Sequence, residues 1–318
     1  MRSVLLVKTS SLGDVIHNLP VVSDLKRTWP DVEIDWVVES GFADIPRLHP
    51  GVNRTISVAV RRWRKRLGGS QTWQEVRTFL EQLRAREYDL VIDTQGLVKS
   101  AIITRLSHGI RCGYSKQVAR EPMAALAYQR HFDIARGEHA VVRNRALVAA
   151  ACEYNMDMPL SYGIVPPAES PAWMPAAPFA VLLTATSRDD KLWDEASWIQ
   201  LGRVLAERGI SAILPSGNAR EQERANRIAQ SIPGAIAAPP SSIATLAGAL
   251  GRARLAVGVD TGLTHLAAAL NVPTAAIFVA TDPGLTGVHA PGHAFNVGAA
   301  GTPPSPQDVL ALMEPWLS

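Results

Sequence analysis

The sequence predicts an α/β protein made of two Rossmann-like domains, each a parallel sheet with helices on both faces. Three observations carry that expectation. Strand-like and helix-like segments alternate through the first half, a Pro-rich stretch interrupts them near the middle, and the alternation restarts after it. Length agrees, because 318 residues exceed the usual single core and point to two domains of roughly 150 residues each.

The apolar run over 4–7 reads as a buried strand, and a helical pattern follows over 15–28. Residues 33–38 form the next strand-like run, 72–86 an amphipathic helix and 89–93 another strand. Pro159, Pro166, Pro167, Pro171, Pro175 and Pro178 crowd the segment 159–178, which reads as a linker and sets the domains at 1–165 and 166–318. Beyond it, strands are expected over 179–183, 211–214, 255–259 and 274–278, and helices over 194–208, 220–231 and 263–270. The last helical stretch, 306–317, belongs to the second domain by chain order, and packing back on the first domain is an alternative the sequence leaves open. Two such domains are expected to face each other across a cleft lined by the carboxyl ends of both sheets, where α/β folds bind ligands.

A hydrophobic share of 47% and a charged share of 19% suit a soluble globular protein. No apolar run approaches the roughly 20 residues of a membrane span, and the N-terminus has no signal-peptide pattern, so a cytoplasmic protein is expected. Cys112 and Cys152 are too few for a disulfide scaffold or a cysteine metal cluster. The formal charge of +3 is modest, yet Arg61-Arg62-Trp63-Arg64-Lys65-Arg66 puts five cations and a Trp into six positions. Such a run suits phosphates, or else is a solvated basic turn. Trp63 among these cations favours a membrane interface, and the lack of further aromatic–basic interleaving argues against nucleic acid.

The stretch MRSVLLVKTSSLGDVIHNLP places Asp14 just past the carboxyl end of the first strand, with Gly13 turning the backbone. A carboxylate there is a candidate general base. Helix capping by Asp14 or Ser11 explains the loop at least as well. In the second half the loop Thr184-Ala185-Thr186-Ser187-Arg188-Asp189-Asp190-Lys191 follows a buried strand and offers hydroxyls and a cation to phosphate oxygens. Asp260-Thr261-Gly262-Leu263-Thr264-His265 follows another strand and opens a helix, whose amides and dipole suit a diphosphate. Asp260 reads alternatively as an N-cap, and His265 as a core histidine. Glu221 could bond a ribose or simply complement its helix dipole. G-x-G-x-x-G after a strand, G-x-x-x-x-G-K-[ST] and H-E-x-x-H are all absent, and the pair His289 and His293 spans Pro291-Gly292. No catalytic metal and no cofactor are expected.

Together, KTSSLGDVIHNLP, AVRRWRK, VIDTQGLVKSA, TSRDDKLW and VDTGLTHLAAAL closely resemble the lipopolysaccharide heptosyltransferases of glycosyltransferase family 9, in order and approximate spacing over nearly the whole chain. The G-D-x-x-x-x-x-P opening and the D-[ST]-G-x-x-H element are shared by the whole family. The Arg-rich run with Trp63 and the RDDK-x-W loop favour its first-acting, type I branch. The resemblance implies a GT-B fold and inverting, metal-independent transfer of L-glycero-D-manno-heptose from ADP-heptose to Kdo of Kdo2-lipid A. Residue by residue, it makes Asp14 the catalytic base, with Lys191 on the donor diphosphate. It gives the donor Ser11, Gly13, Thr186, Ser187, Glu221, Asp260, Thr261, Gly262, Leu263 and His265, and the acceptor Arg61, Arg62, Arg64, Lys65 and Arg120. Ser187 stands where the resemblance leads one to expect threonine, and Thr264 where it leads one to expect serine, both keeping the hydroxyl. It further implies peripheral contact with the cytoplasmic face of the inner membrane and no obligate protein partner. The alternatives are a later-acting heptosyltransferase and a non-catalytic protein that binds nucleotide-sugars or polyanions.

Overall fold

The computed structural model describes residues 1–66, 68–176 and 178–317. It divides into two compact units, 1–164 and 165–318, each built on a six-stranded parallel sheet. In the first unit the strands are β1 (Ser3–Val7), β2 (Glu33–Glu39), β3 (Arg54–Val58), β4 (Glu87–Asp93), β5 (His108–Tyr114) and β6 (Arg130–Phe132). The second has β7 (Phe179–Leu183), β8 (Ser211–Leu214), β9 (Ile236–Ala237), β10 (Leu255–Val259), β11 (Thr274–Ile277) and β12 (Ala294–Val297).

Strand order decides where the sites form. The first sheet runs β3-β2-β1-β4-β5-β6 and the second β12-β11-β10-β7-β8-β9. In each, the chain works outward from its first strand, then returns to add the fourth strand on the other side. The crevice between those two strands is where helices cannot close over the carboxyl edge. β1 and β4 meet there in the first unit, β7 and β10 in the second. Of these, β1, β7 and β10 are covered on both faces: Val4, Leu5, Leu6 and Val7 have no exposed surface, and β7 and β10 are buried throughout. That is why they read as continuous apolar runs.

The helical pattern over 15–28 is two helices, Leu12–Ile16 and Leu19–Thr28. Pro20 sits in the first turn of the second, where its missing N–H costs nothing, and so marks a new start. β3, β5, β6, β9 and β12 were not evident from sequence. β6, β9 and β12 are short and incompletely covered, and β5 carries Gly109 and Gly113, the latter bare because Tyr128 lies against it. The final helix Pro306–Met313 buries Val309 and Met313 in the second unit's core, which places it with that unit's own sheet.

The segment 159–178 is pinned at its start. Arg145 forms a two-pronged pair with buried Asp24 (2.6 and 3.1 Å) and also donates to the Met158 carbonyl, while Arg27 donates to that of Pro159. Gly163 adopts φ +65°, and a Cβ there would stand 2.4 Å from both His49 Nε2 and Ser23 Oγ. Further on, Arg252 donates to the carbonyls of Pro167 and Ala168.

Two expectations follow. Arg145→Ala would strand the Asp24 carboxylate in the interior and lower unfolding stability by about 3–5 kcal/mol, measured by urea titration. His49 is buried, accepts the Gly51 N–H at Nδ1 and faces Ser23. Burial, then the Lys26 charge, depress it to about 4. The folded state refuses a proton that the unfolded chain takes below its ordinary value near 6.5, so stability is lost as pH falls between those values. Replacing His49 with Gln should flatten that acid limb, whose size is roughly 2–4 kcal/mol; an unchanged slope would dismiss the assignment.

Candidate functional site

The first unit's site grows from the loops after β1 and β4. Gln95 joins them: its Oε1 accepts both the backbone N–H and the hydroxyl of Thr9 at 2.8 Å, and its Nε2 donates to the Ser10 carbonyl at 3.0 Å. Buried Asp93 shapes the second loop by accepting the Gln95 and Gly96 amides and the Tyr128 hydroxyl. Gly96 adopts φ +66°, and its carbonyl accepts the Glu121 N–H, which brings Arg120 alongside.

Asp14 is half-buried in the first turn of Leu12–Ile16, and its Oδ2 accepts the backbone N–H and hydroxyl of Ser11, both at 2.8 Å. The capping arrangement is therefore real, with Ser11 as the cap residue. It does not consume the carboxylate, whose surroundings are cationic. Burial pushes Asp14 up, but the Lys8 charge, the two Ser11 bonds and Arg120 outweigh it and hold Asp14 below its ordinary value. Lys99 lies on the same side, its Nζ donating to Ser10 Oγ at 2.6 Å. Burial, then Arg61, lower the Lys99 ammonium, against the opposing pull of Glu39 and Asp14. Asp14, Lys99, Arg61 and Arg120 thus share one electrostatic neighbourhood.

The Arg-rich run divides. Arg61 donates its backbone N–H to Glu39 and sets its guanidinium over the Phe42 ring at 5.7 Å. Arg62 pairs with Glu75 at 2.7 Å, and Trp63 donates to the same carboxylate at 2.8 Å while its ring packs on Phe79. Trp63 is therefore a packing residue, which corrects its reading as a membrane-facing ring. Arg64 and Lys65 are exposed on the turn that follows.

In the second unit, Asp260 organises the loops after β7 and β10. Its Oδ2 accepts Lys191 Nζ at 2.5 Å and Thr281 Oγ1 at 2.9 Å, its Oδ1 lies 3.9 Å from His265 Nε2, and its carbonyl accepts the Thr186 hydroxyl. Burial raises Asp260, but His265, Lys191 and Thr281 together hold it far below the usual carboxylate range. The N-cap of Gly262–Ala269 is Thr261, so Asp260 does not cap that helix, and His265 is both buried and in contact with Asp260. The first amides of the helix, at Gly262 and Leu263, lack intrahelical acceptors and follow directly on Asp260, the residue that holds Lys191. Leu263 also lines a small apolar cavity with Trp173, Pro215, Leu246 and Leu250. Ser187 is exposed one residue past Thr186. Glu221 accepts the Gly217 N–H at 2.7 Å and the Asn218 side-chain amide at 2.6 Å, closing the turn after β8. Thr264 donates to the Val259 carbonyl and is buried, a structural role that explains bare Gly258, where a Cβ would meet its hydroxyl.

Ser11, Gly13 and Asp14 thus lie in the first unit with Arg61 and Arg120, while Thr186, Lys191, Asp260, Thr261, Gly262 and His265 converge in the second. Lys99, Gln95 and Thr281 were not singled out from sequence. Strand order is the signal that finds the first two, because β4 is β1's neighbour at the crossover.

The profile of glycosyltransferase family 9 (heptosyltransferase) matches residues 76–307. The chain is 48% identical to lipopolysaccharide heptosyltransferase 1 of Pseudomonas aeruginosa over 90% of its own length and 81% of that protein's. It is 46% identical to lipopolysaccharide heptosyltransferase 1 of Escherichia coli K12, covering 89% of this chain and 90% of that one. Among solved structures it is similar to the E. coli heptosyltransferase WaaC with ADP, at a TM-score of 0.92 and 42% identity over 99% of both chains. A GT-B fold with carboxylate, lysine and helix N-terminus at its two crossover crevices, matched by relatives across its length, places the chain in glycosyltransferase family 9, the heptosyltransferases.

Proposed function

We propose that this chain transfers L-glycero-D-manno-heptose from ADP-heptose to Kdo of Kdo2-lipid A, as the type I enzymes of lipopolysaccharide inner-core synthesis do, with inversion and without a metal ion. The observation that carries the reading is a pair of sites of opposite character. One is a carboxylate among cations after β1; the other is a lysine and helix N-terminus organised by Asp260 after β10.

In the first unit, Lys99, Arg61 and Arg120 offer positive charge to Kdo carboxylates, and Asp14 accepts the proton of the attacking hydroxyl. Of these cations, Arg120 joins Lys8 and the Ser11 bonds in holding Asp14 low. An acceptor carboxylate that neutralises Arg120 lets Asp14 rise and become a better base. In the second unit, Lys191 and the amides of Gly262 and Leu263 receive the diphosphate as the bond from the anomeric carbon to ADP breaks. The acceptor oxygen forms its bond from the opposite face, which inverts that carbon. Fixed charges of this kind supply the leaving-group stabilisation that a divalent ion would otherwise provide. Glu221 exchanges its hold on Gly217 for a ribose hydroxyl, and Asp260 acts as the positioning residue for Lys191 and His265. We place the protein at the cytoplasmic face of the inner membrane, in reversible contact with the bilayer. Among the described residues no helix is long and apolar enough to cross it.

Asp14→Asn is expected to lower kcat by about 10²–10⁴-fold while leaving ADP affinity by calorimetry unchanged; turnover near the parent's would remove Asp14 as base. Lys191→Ala should cost about 10²–10³-fold in kcat/KM and weaken ADP binding in the same titration. The deciding assay pairs ADP-heptose with Kdo2-lipid A or with its heptosylated product, and only the first acceptor should react.

A further inference from the structure

The proposed acceptor side leaves one conspicuous surface unused. The helix Val98–Leu106 and the 3-10 helix Pro122–Ala127 pack together through Ala101, Ala124, Ala125 and Tyr128. The Val98 N–H donates to Glu121 Oε2 at 2.6 Å and ties their starts together. Outside that seam the helix exposes Val98, Ile102 and Arg105, an i, i+4, i+7 stripe. The 3-10 helix has three residues per turn, so Met123 and Leu126 stack on one side of it. Ile102 is 55% exposed, Met123 68% and Leu126 81%, which are unusual values for large apolar side chains on adjoining elements.

We infer that this face, Val98, Ile102, Met123 and Leu126, docks the protein on an anionic bilayer surface. The inference rests on the glycosyl-transfer reading above and names the surface by which the lipid-linked acceptor is met. Charge complementarity supports a bilayer as the occupant. Residues 98–106 and 120–130 carry Lys99, Arg105, Arg120 and Arg130, while their lone acid, Glu121, is engaged by the Val98 amide. Exposed apolar side chains on segments that also carry exposed Arg105, Arg120 and Arg130 match the interface of an anionic leaflet, with chains in the acyl boundary and cations among the headgroups. Continuity with the acceptor side supports it as well. Lys99, next to Val98, bonds Ser10, and Arg120, three residues before Met123, acts on Asp14. A sugar anchored in the leaflet would thus meet the cations around Asp14 beside the docked face. The run 61–66 is less suited to this role, since Arg62 and Trp63 are both engaged by Glu75.

The test is flotation of the full chain with vesicles of phosphatidylethanolamine containing about one-third phosphatidylglycerol. Met123→Ser/Leu126→Ser should lower the bound fraction by about tenfold or more, and Leu126→Ser alone should lower it partway. Leu285→Ser, an exposed apolar site in the second unit, should leave it unchanged. Heptose transfer to a soluble, acyl-free Kdo acceptor should be retained in the double variant; absence of transfer in the parent would count against the catalytic reading while vesicle binding is read separately. Undiminished flotation of the double variant, or equal loss in Leu285→Ser, would overturn the inference. So would a parent that is dimeric by sedimentation and becomes monomeric on the double substitution, which would assign the face to a second copy.

Discussion

Everything functional in this chain depends on the reversal of strand order inside each parallel sheet. A right-handed crossover can cover a sheet on only one side at a time, so the point where the chain switches direction leaves a gap at the carboxyl edge. In the first unit the gap lies between β1 and β4, in the second between β7 and β10. Loops far apart in sequence are adjacent there: Ser10 meets Lys99 across 89 residues, and Lys191 meets Asp260 across 69.

Each gap is polar, yet it is held by buried groups rather than by the ligand. Asp93 shapes the loop that carries Gln95, and Gln95 in turn fixes Thr9 and Ser10. On the other side, one carboxylate, that of Asp260, gathers Lys191 and Thr281 and lies near His265. Such preorganisation lets charge develop in the transition state without reorienting the groups that stabilise it. The cost is a set of like-charged side chains around Asp14, tolerated because Glu39 and Asp14 itself lie among them.

The central strands, Asp14 and Asp260 were legible because burial on both faces leaves an apolar run, and a polar residue at its end stands out. Three of the expected strands, 179–183, 211–214 and 255–259, coincide with observed ones. Lys99 and Gln95 were not legible, since their importance comes from which strand lies beside β1, a property of topology. Trp63 misled for a related reason. Its partner Glu75 lies on a separate helix, Ser70–Arg84, and no local pattern shows that the indole N–H has an acceptor there. β5 was hidden by Gly109 and Gly113, and the latter's bareness makes sense only once Tyr128 is seen lying over it.

Gly163 gives the first unit an unexpected boundary. The chain runs past the last helix, Ala140–Cys152, and its next dozen residues lie back over the unit, where Met158 and Pro159 present carbonyls to arginines and Gly163 closes over Ser23 and His49. That tail behaves as a plug rather than as spare tether. Dissection of the protein at the end of the helix would uncover the Asp24–Arg145 pair and the imidazole together, whereas a cut after Ile164 would keep the first unit's interior sealed.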